Sequence, residues 1–248
     1  MRTFLLQWRR EMAAAFLSPI AWVLMAFFLA VMGFSFWFMA DLLAGEGGGS
    51  QAVSELFGSI FFWIAVLVSV PVLTMRLFAE EKRTGTFEVL MTAPISTPAV
   101  VLAKFAGALG TYALMWAPTL IYPVLLHGLA ASDAPPDLRL MATGYLGALL
   151  IGLLFIAIGL LASALTRNQV AAAIASFAVC CLLFMAGFLP YLSRHPWVQR
   201  AGSYASPVIH LLDLSRGTID SGTVAFYVLN TALVLFATVR AVEAGRWR

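Results

Sequence analysis

The residues best placed to do chemistry crowd into one stretch, 76–104, which reads RLFAEEKRTGTFEVLMTAPISTPAVVLAK. It carries 4 of the 15 basic and 3 of the 12 acidic residues, between runs almost bare of charge. These side chains suit ion pairing and docking rather than bond breaking. Glu80 and Arg83 are spaced i,i+3, close enough to pair on a helix. A helix running through Thr84 would be closed by Gly85. Thr86 then caps a short helix from Phe87, Glu88 favours its first turn, and Pro94 marks its end. Phe87, Leu90 and Met91 lie on its apolar side.

Catalytic constellations are missing. The sequence has no Gly-x-Ser-x-Gly, no His-Glu-x-x-His, no pair of buried aspartates and no Gly-x-x-x-x-Gly-Lys-[Ser/Thr] phosphate loop. His127, His195 and His210 fall at or beyond the ends of apolar runs. Cys180 and Cys181 are adjacent, poorly placed to bridge each other, and read as buried free thiols. An enzyme is therefore not expected, and no cofactor or metal is expected on this chain.

The elements that must position these residues follow from composition. Of 248 residues, 62% are hydrophobic and only 11% charged, and the mean hydropathy is +0.92. Soluble domains carry about 25% charged residues, so this chain belongs in a bilayer. A pI near 9.1 with a net charge of +3 and thinly spread arginines reflects loop charge rather than nucleic-acid binding. Six runs are long enough for crossing helices: 20–40, 57–75, 105–126, 140–165, 170–189 and 222–239. The first is too long for a signal-peptide core and no small-residue cleavage site follows, so the N-terminus is expected to remain in the mature protein. With that terminus inside, the inner segments hold eleven basic residues and the outer segments four, Arg139, Arg194, Arg200 and Arg216. This bias places both termini in the cytoplasm.

Residues 1–18 form an amphipathic helix, with Phe4, Leu5, Trp8, Met12, Ala15 and Phe16 on one arc, expected to lie in the inner interface. Ser18-Pro19 breaks it from the first span. Gly45 to Ser50 is a flexible outer tether, Pro135 and Pro136 stiffen another outer turn, and 166–169 is a tight inner turn. No ionisable residue lies well inside a span; Lys104, Arg139 and Arg76 are expected at edges, where long stems keep the charge wet. That disfavours an ion-coupled carrier. Small-residue pairs Ala106/Gly110, Gly159/Ser163 and Ala171/Ala175 suit close helix packing. Pro71, Pro118 and Pro123 are expected to kink their spans. A short capped helix held at the membrane surface suits a cleft on a soluble partner; the plainer alternative is a loop lying flat on lipid.

The run Glu80-Glu81-Lys82-x-x-Gly85-Thr86-x-Glu88-x-Leu90-x-x-x-Pro94, followed by Lys104, resembles the signature of type-2 ABC transporter permeases. A second run, Ser206-Pro207-x-x-His210-x-x-x-x-Ser215-Arg216-Gly217-x-Ile219-Asp220, is similar to the gliding-motility (GldF-like) branch. The resemblance covers essentially the whole chain. It implies a single all-α membrane domain over 1–248, with an interfacial helix at 1–18, a cytoplasmic coupling segment at 76–98 and short outer helices at 191–221. It also implies two ABC ATPase subunits carrying ATP and Mg, a second permease copy, an auxiliary membrane protein with an extracytoplasmic domain, and residence in the bacterial inner membrane. By resemblance, Gly85 to Pro94 contacts the ATPase and Glu80, Glu81 and Lys82 form its supporting collar. His210, Arg216, Gly217 and Asp220 fall in the outer segment, where a buried Arg–Asp pair and solvated end caps are the two alternatives. Two function classes follow: an ATP-driven exporter, or a non-transporting transducer acting on an extracytoplasmic partner. An ATP-independent carrier is a third, disfavoured by the bare spans.

Overall fold

Ser18 separates α1 (Arg2–Leu17) from α2 (Pro19–Ala44). Proline has no amide proton to lose at a helix start and its fixed φ suits the first turn. The computed structural model describes residues 2–44, 55–87, 96–129, 138–192 and 195–245, and their regular structure is all helical. After α2 come α3 (Ile60–Thr74), α4 (Ala79–Thr84) and α5 (Thr97–Trp116). A 3₁₀ turn (Ala117–Leu120) then leads into α6 (Ile121–Leu129). The long α7 (Leu138–Leu165) and α8 (Gln169–Ala186) form a hairpin. Short helices α9 (Leu189–Leu192), α10 (Pro196–Ala205) and α11 (Pro207–Ser215) lead to α12 (Ser221–Gly245). Among the described residues, six helical stretches are long and apolar enough to cross a membrane, so this is an all-α, multi-pass membrane protein. The outer tether 45–50, Pro135, Pro136 and Arg194 lie outside the described residues.

The core is built around α7. Its central window is 72% buried, against 22% for the spans of α2 and α8 and 17% for that of α12. Glycines on α7 let neighbours come close: a side chain at Gly152 would collide with the Tyr112 ring, and one at Gly159 with Thr74. Without a hydrophobic drive between helices in lipid, this close packing must supply the cohesion. Tyr112, fully buried on α5, donates to the Ala148 carbonyl of α7 at 3.0 Å. The Gly159/Ser163 pair is thus used within the chain, as is Ala106/Gly110, which receives α1. Ala171 and Ala175 differ: both face outward on α8.

The three prolines act differently. α3 continues past Pro71 only to Thr74. At Pro118 the third span turns 3₁₀, and the break is clamped from α7: the Tyr145 hydroxyl donates to the Thr119 carbonyl at 2.7 Å. Pro123 lies in the first turn of α6, where no intrahelical donor is needed, so it starts that helix instead of kinking it. The turn at 166–168 is closed as expected, Asn168 Oδ1 accepting from the Val170 amide at 2.9 Å.

Candidate functional site

Where α3 stops, residues 75–78 form turns before α4 restarts the helix. An interrupted helix exposes backbone groups that hydrocarbon cannot satisfy. Ser163 of α7 satisfies them. Its hydroxyl accepts from the amides of Phe78 and Ala79, both at 3.0 Å, and donates to the Met75 carbonyl at 3.0 Å. The second span does reach Thr84 as expected, but residues 75–78 form turns instead of regular helix, and that irregularity is sealed by a neighbour. Gly85 does close α4, at φ +74°, in the left-handed region that favours glycine. A Cβ there would meet nothing within 4 Å, so conformation rather than space demands the glycine.

Three of the four charged residues of α4, Glu80, Glu81 and Lys82, point three ways. Glu80 reaches back to Arg76 at 4.0 Å, not forward to Arg83 as the i,i+3 spacing suggested. Glu81 Oε1 accepts from Lys104 Nζ at 2.7 Å. Lys82 donates to the Ala164 carbonyl at the end of α7, and its ammonium sits 5.3 Å from the Phe87 ring centre. Phe87 itself is buried, packed edge-on against Phe78 at 6.4 Å, so its ring faces the bundle rather than an exposed docking face. Thr86 turns its hydroxyl back onto Thr84 at 2.9 Å. Glu88, Leu90, Met91 and Pro94 lie outside the described residues.

Lys104 corrects another expectation. α5 begins at Thr97, so this lysine is two turns inside the helix and only 2% exposed. Its ammonium takes a second carboxylate, Glu11 of α1, at 3.1 Å, and lies 5.3 Å from the centre of the Phe78 ring. A buried ammonium held by two carboxylates and an aromatic face is compensated where a lone one would not be. This junction joins α1, α4 and α5. α1 meets protein along its arc: Trp8 donates to the Ala106 carbonyl at 3.3 Å, and a Cβ at Gly107 would come within 2.8 Å of Glu11 Cβ. The aromatic arc expected in the headgroup boundary is partly spent on α5. Small-residue spacing marks Ser163 only as a packing residue, and no sequence motif singles out Glu11. The signal for Glu11 was present: it is the one acidic residue in an otherwise basic and apolar α1.

At the opposite end of the bundle the second motif divides. Ser206 caps α11, accepting from the Ile209 amide at 3.2 Å. α11 then sinks toward α7, where a Cβ at Gly147 would meet Leu211 within 2.8 Å. His210 goes in with it, 7% exposed, its ring edge-on to Phe226 at 5.4 Å and Tyr227 at 5.7 Å. Burial holds its imidazole below the ordinary value, with the Asp213 and Asp220 carboxylates pulling the other way. Arg216, Gly217 and Asp220 stay at the surface. Gly217 closes α11 at φ +83°, and Asp220 Oδ1 accepts from the Gly222 amide at 3.1 Å, capping α12. The solvated end caps are therefore what the structure contains, and no Arg216–Asp220 ion pair forms.

A family model described as ABC-2 type transporter matches residues 1–219, from α1 through the α4 junction to the turn before α12. No curated protein matches the chain. With nearly the whole sequence under that one model, the chain belongs to the ABC-2 type transporter family and is a membrane permease component of an ABC transporter.

Proposed function

We propose that the segment 76–98 is the cytoplasmic coupling element on which partner ATPase subunits act, and that its movement is passed to the spans through the Glu11–Lys104–Glu81 junction. The observation carrying this reading is the three-way anchoring of Glu80, Glu81 and Lys82, which ties a six-residue helix to its own span, to α1 and α5, and to the end of α7. A push on such a helix cannot be absorbed locally, because buried ion pairs and packed glycine contacts are costly to break. Two ATPase subunits carrying ATP and Mg bind below, Gly85 to Pro94 makes the contact, and both termini face the cytoplasm of a bacterial inner membrane. A second permease copy completes the assembly. The outward-facing Ala171/Ala175 pair of α8 supports that copy, since small residues let helix backbones approach.

Within the family, the gliding-motility branch is the reading favoured by the motif at 206–220. It brings in an auxiliary membrane protein with an extracytoplasmic domain, and with it a second function: transduction of ATP-driven motion to that partner instead of export. The seating of α11 against α7 favours it, because movement of the central helix would reach the outer surface directly.

Replacing Glu88 and Leu90 together by alanine tests the coupling role. Membrane insertion should be retained while stimulation of the co-purified ATPase by the permease falls at least tenfold. Unchanged stimulation would remove the segment from the contact.

A further inference from the structure

Between α1, the start of α2, the end of α3 and α5 lies a half-open cavity of about 390 Å³, within the size range of ligand sites. Its wall is divided by polarity. Leu24, Val72, Leu73 and Leu77 line the part facing the apolar body of the bundle. Arg10, Glu11, Arg76, Glu80, Glu81 and Lys104 line the rest, so basic and acidic groups balance three against three. Lys104 is fully engaged by Glu11 and Glu81. Two buried atoms are not engaged: Arg76 Nε, a donor, and Glu81 Oε2, an acceptor, each without a hydrogen bond. Arg76 has Glu80 at 4.0 Å as an ionic neighbour, and its Nη1 donates to the Ser18 hydroxyl at 3.1 Å. Ser18 keeps its own proton to donate.

We propose that this cavity binds a bilayer phospholipid whose headgroup carries a phosphate and a primary ammonium. The phosphate takes the Arg76 Nε proton and the Ser18 hydroxyl, with Arg10 beside it. The ammonium donates to Glu81 Oε2 and Glu80, and the first carbons of an acyl chain run along Leu24, Val72 and Leu73. A net-neutral headgroup matches a wall of balanced charge, and its two poles match the two atoms that lack a hydrogen bond. A choline headgroup has no N–H to donate to the carboxylates. A glycerol headgroup has no ammonium, so it carries a net negative charge and leaves the Glu81 and Glu80 carboxylates without a cation.

The test is native mass spectrometry of the delipidated full chain, titrated with phosphatidylethanolamine, phosphatidylcholine and phosphatidylglycerol. The expected result is one phosphatidylethanolamine per chain, held roughly tenfold tighter than the other two. Arg76→Gln should abolish that preference. So should Ala14→Trp, which fills the cavity from an exposed position of α1 and spares the core. Arg240→Gln, altering an exposed arginine paired with Glu243, should leave it intact. Equal retention of the three lipids, or a preference surviving both cavity variants, would overturn the proposal. Binding of soluble glycerophosphoethanolamine as tightly as the lipid would overturn the lipid assignment. No ATPase subunit enters the experiment, so its outcome is separate from that of the coupling role.

Discussion

Withdrawing an ammonium from water is costly unless counter-charge comes with it, and Lys104 brings two carboxylates from different helices. Removing the lysine alone leaves Glu11 and Glu81 facing each other with nothing between them. Lys104→Met should therefore lower the unfolding free energy by about 3 kcal/mol, while adding Glu11→Gln and Glu81→Gln should recover most of it. Thermal unfolding of the three proteins in one detergent checks this, and equal midpoints would mean the triad does not hold α1. Lys104 also marks where reading by residue type went astray. A lysine near the end of an apolar run reads as a snorkelling edge residue, because the run itself does not reveal that its helix begins at Thr97. The carboxylates that bury it lie 93 and 23 residues away in sequence. Glu81 belongs to a recognisable motif, whereas Glu11 belongs to none.

Helix breaks in a membrane need partners, and the irregularities in the second and third spans take them from α7. Ser163 seals the gap between α3 and α4 with three hydrogen bonds. Ser163→Ala should leave the Phe78 and Ala79 amides unsatisfied, a loss of about 1–3 kcal/mol. Hydrogen exchange should show it as faster exchange confined to residues 75–84. Unchanged protection there would mean the gap is held by packing alone. Ser163→Gly is the useful companion, since it removes the hydroxyl without adding bulk. Most elements were legible in the sequence: the Ser18-Pro19 break, the tight turn at 166–169 and Gly85 all follow from local chemistry that needs no tertiary partner. The gap at 75–78 was not, because its residues are as apolar as the helix before it and the group that stabilises it comes from 85 residues further on. The outward fate of Arg216 and Asp220 was likewise undecided by spacing, which allows a pair or two caps equally.

For the molecule as a whole, apolar length gave the spans to within a few residues at most ends, the start of the third being the main exception. This works because a bilayer imposes one length on every crossing helix. Orientation rests on the basic-residue bias, and accessibility decides it. Single cysteines placed in the tether 45–50 should react with an impermeant maleimide on intact spheroplasts, and cysteines at 166–169 only after lysis. The opposite pattern would invert the topology and place the α4 junction away from any cytoplasmic ATPase. The buried share of each span also assigns roles: α7 is enclosed by its neighbours, while α2, α8 and α12 present most of their surface outward.

The 3₁₀ turn at Ala117–Leu120 gives the third span a fulcrum. Pro118 withholds a backbone hydrogen bond from the turn before it, and Tyr145 pins Thr119 to the central helix. α5 below that point carries Lys104, and with it α1 and α4. If α4 moves as proposed, a displacement at the lysine end would act through a lever arm of about four helical turns, pinned at Thr119.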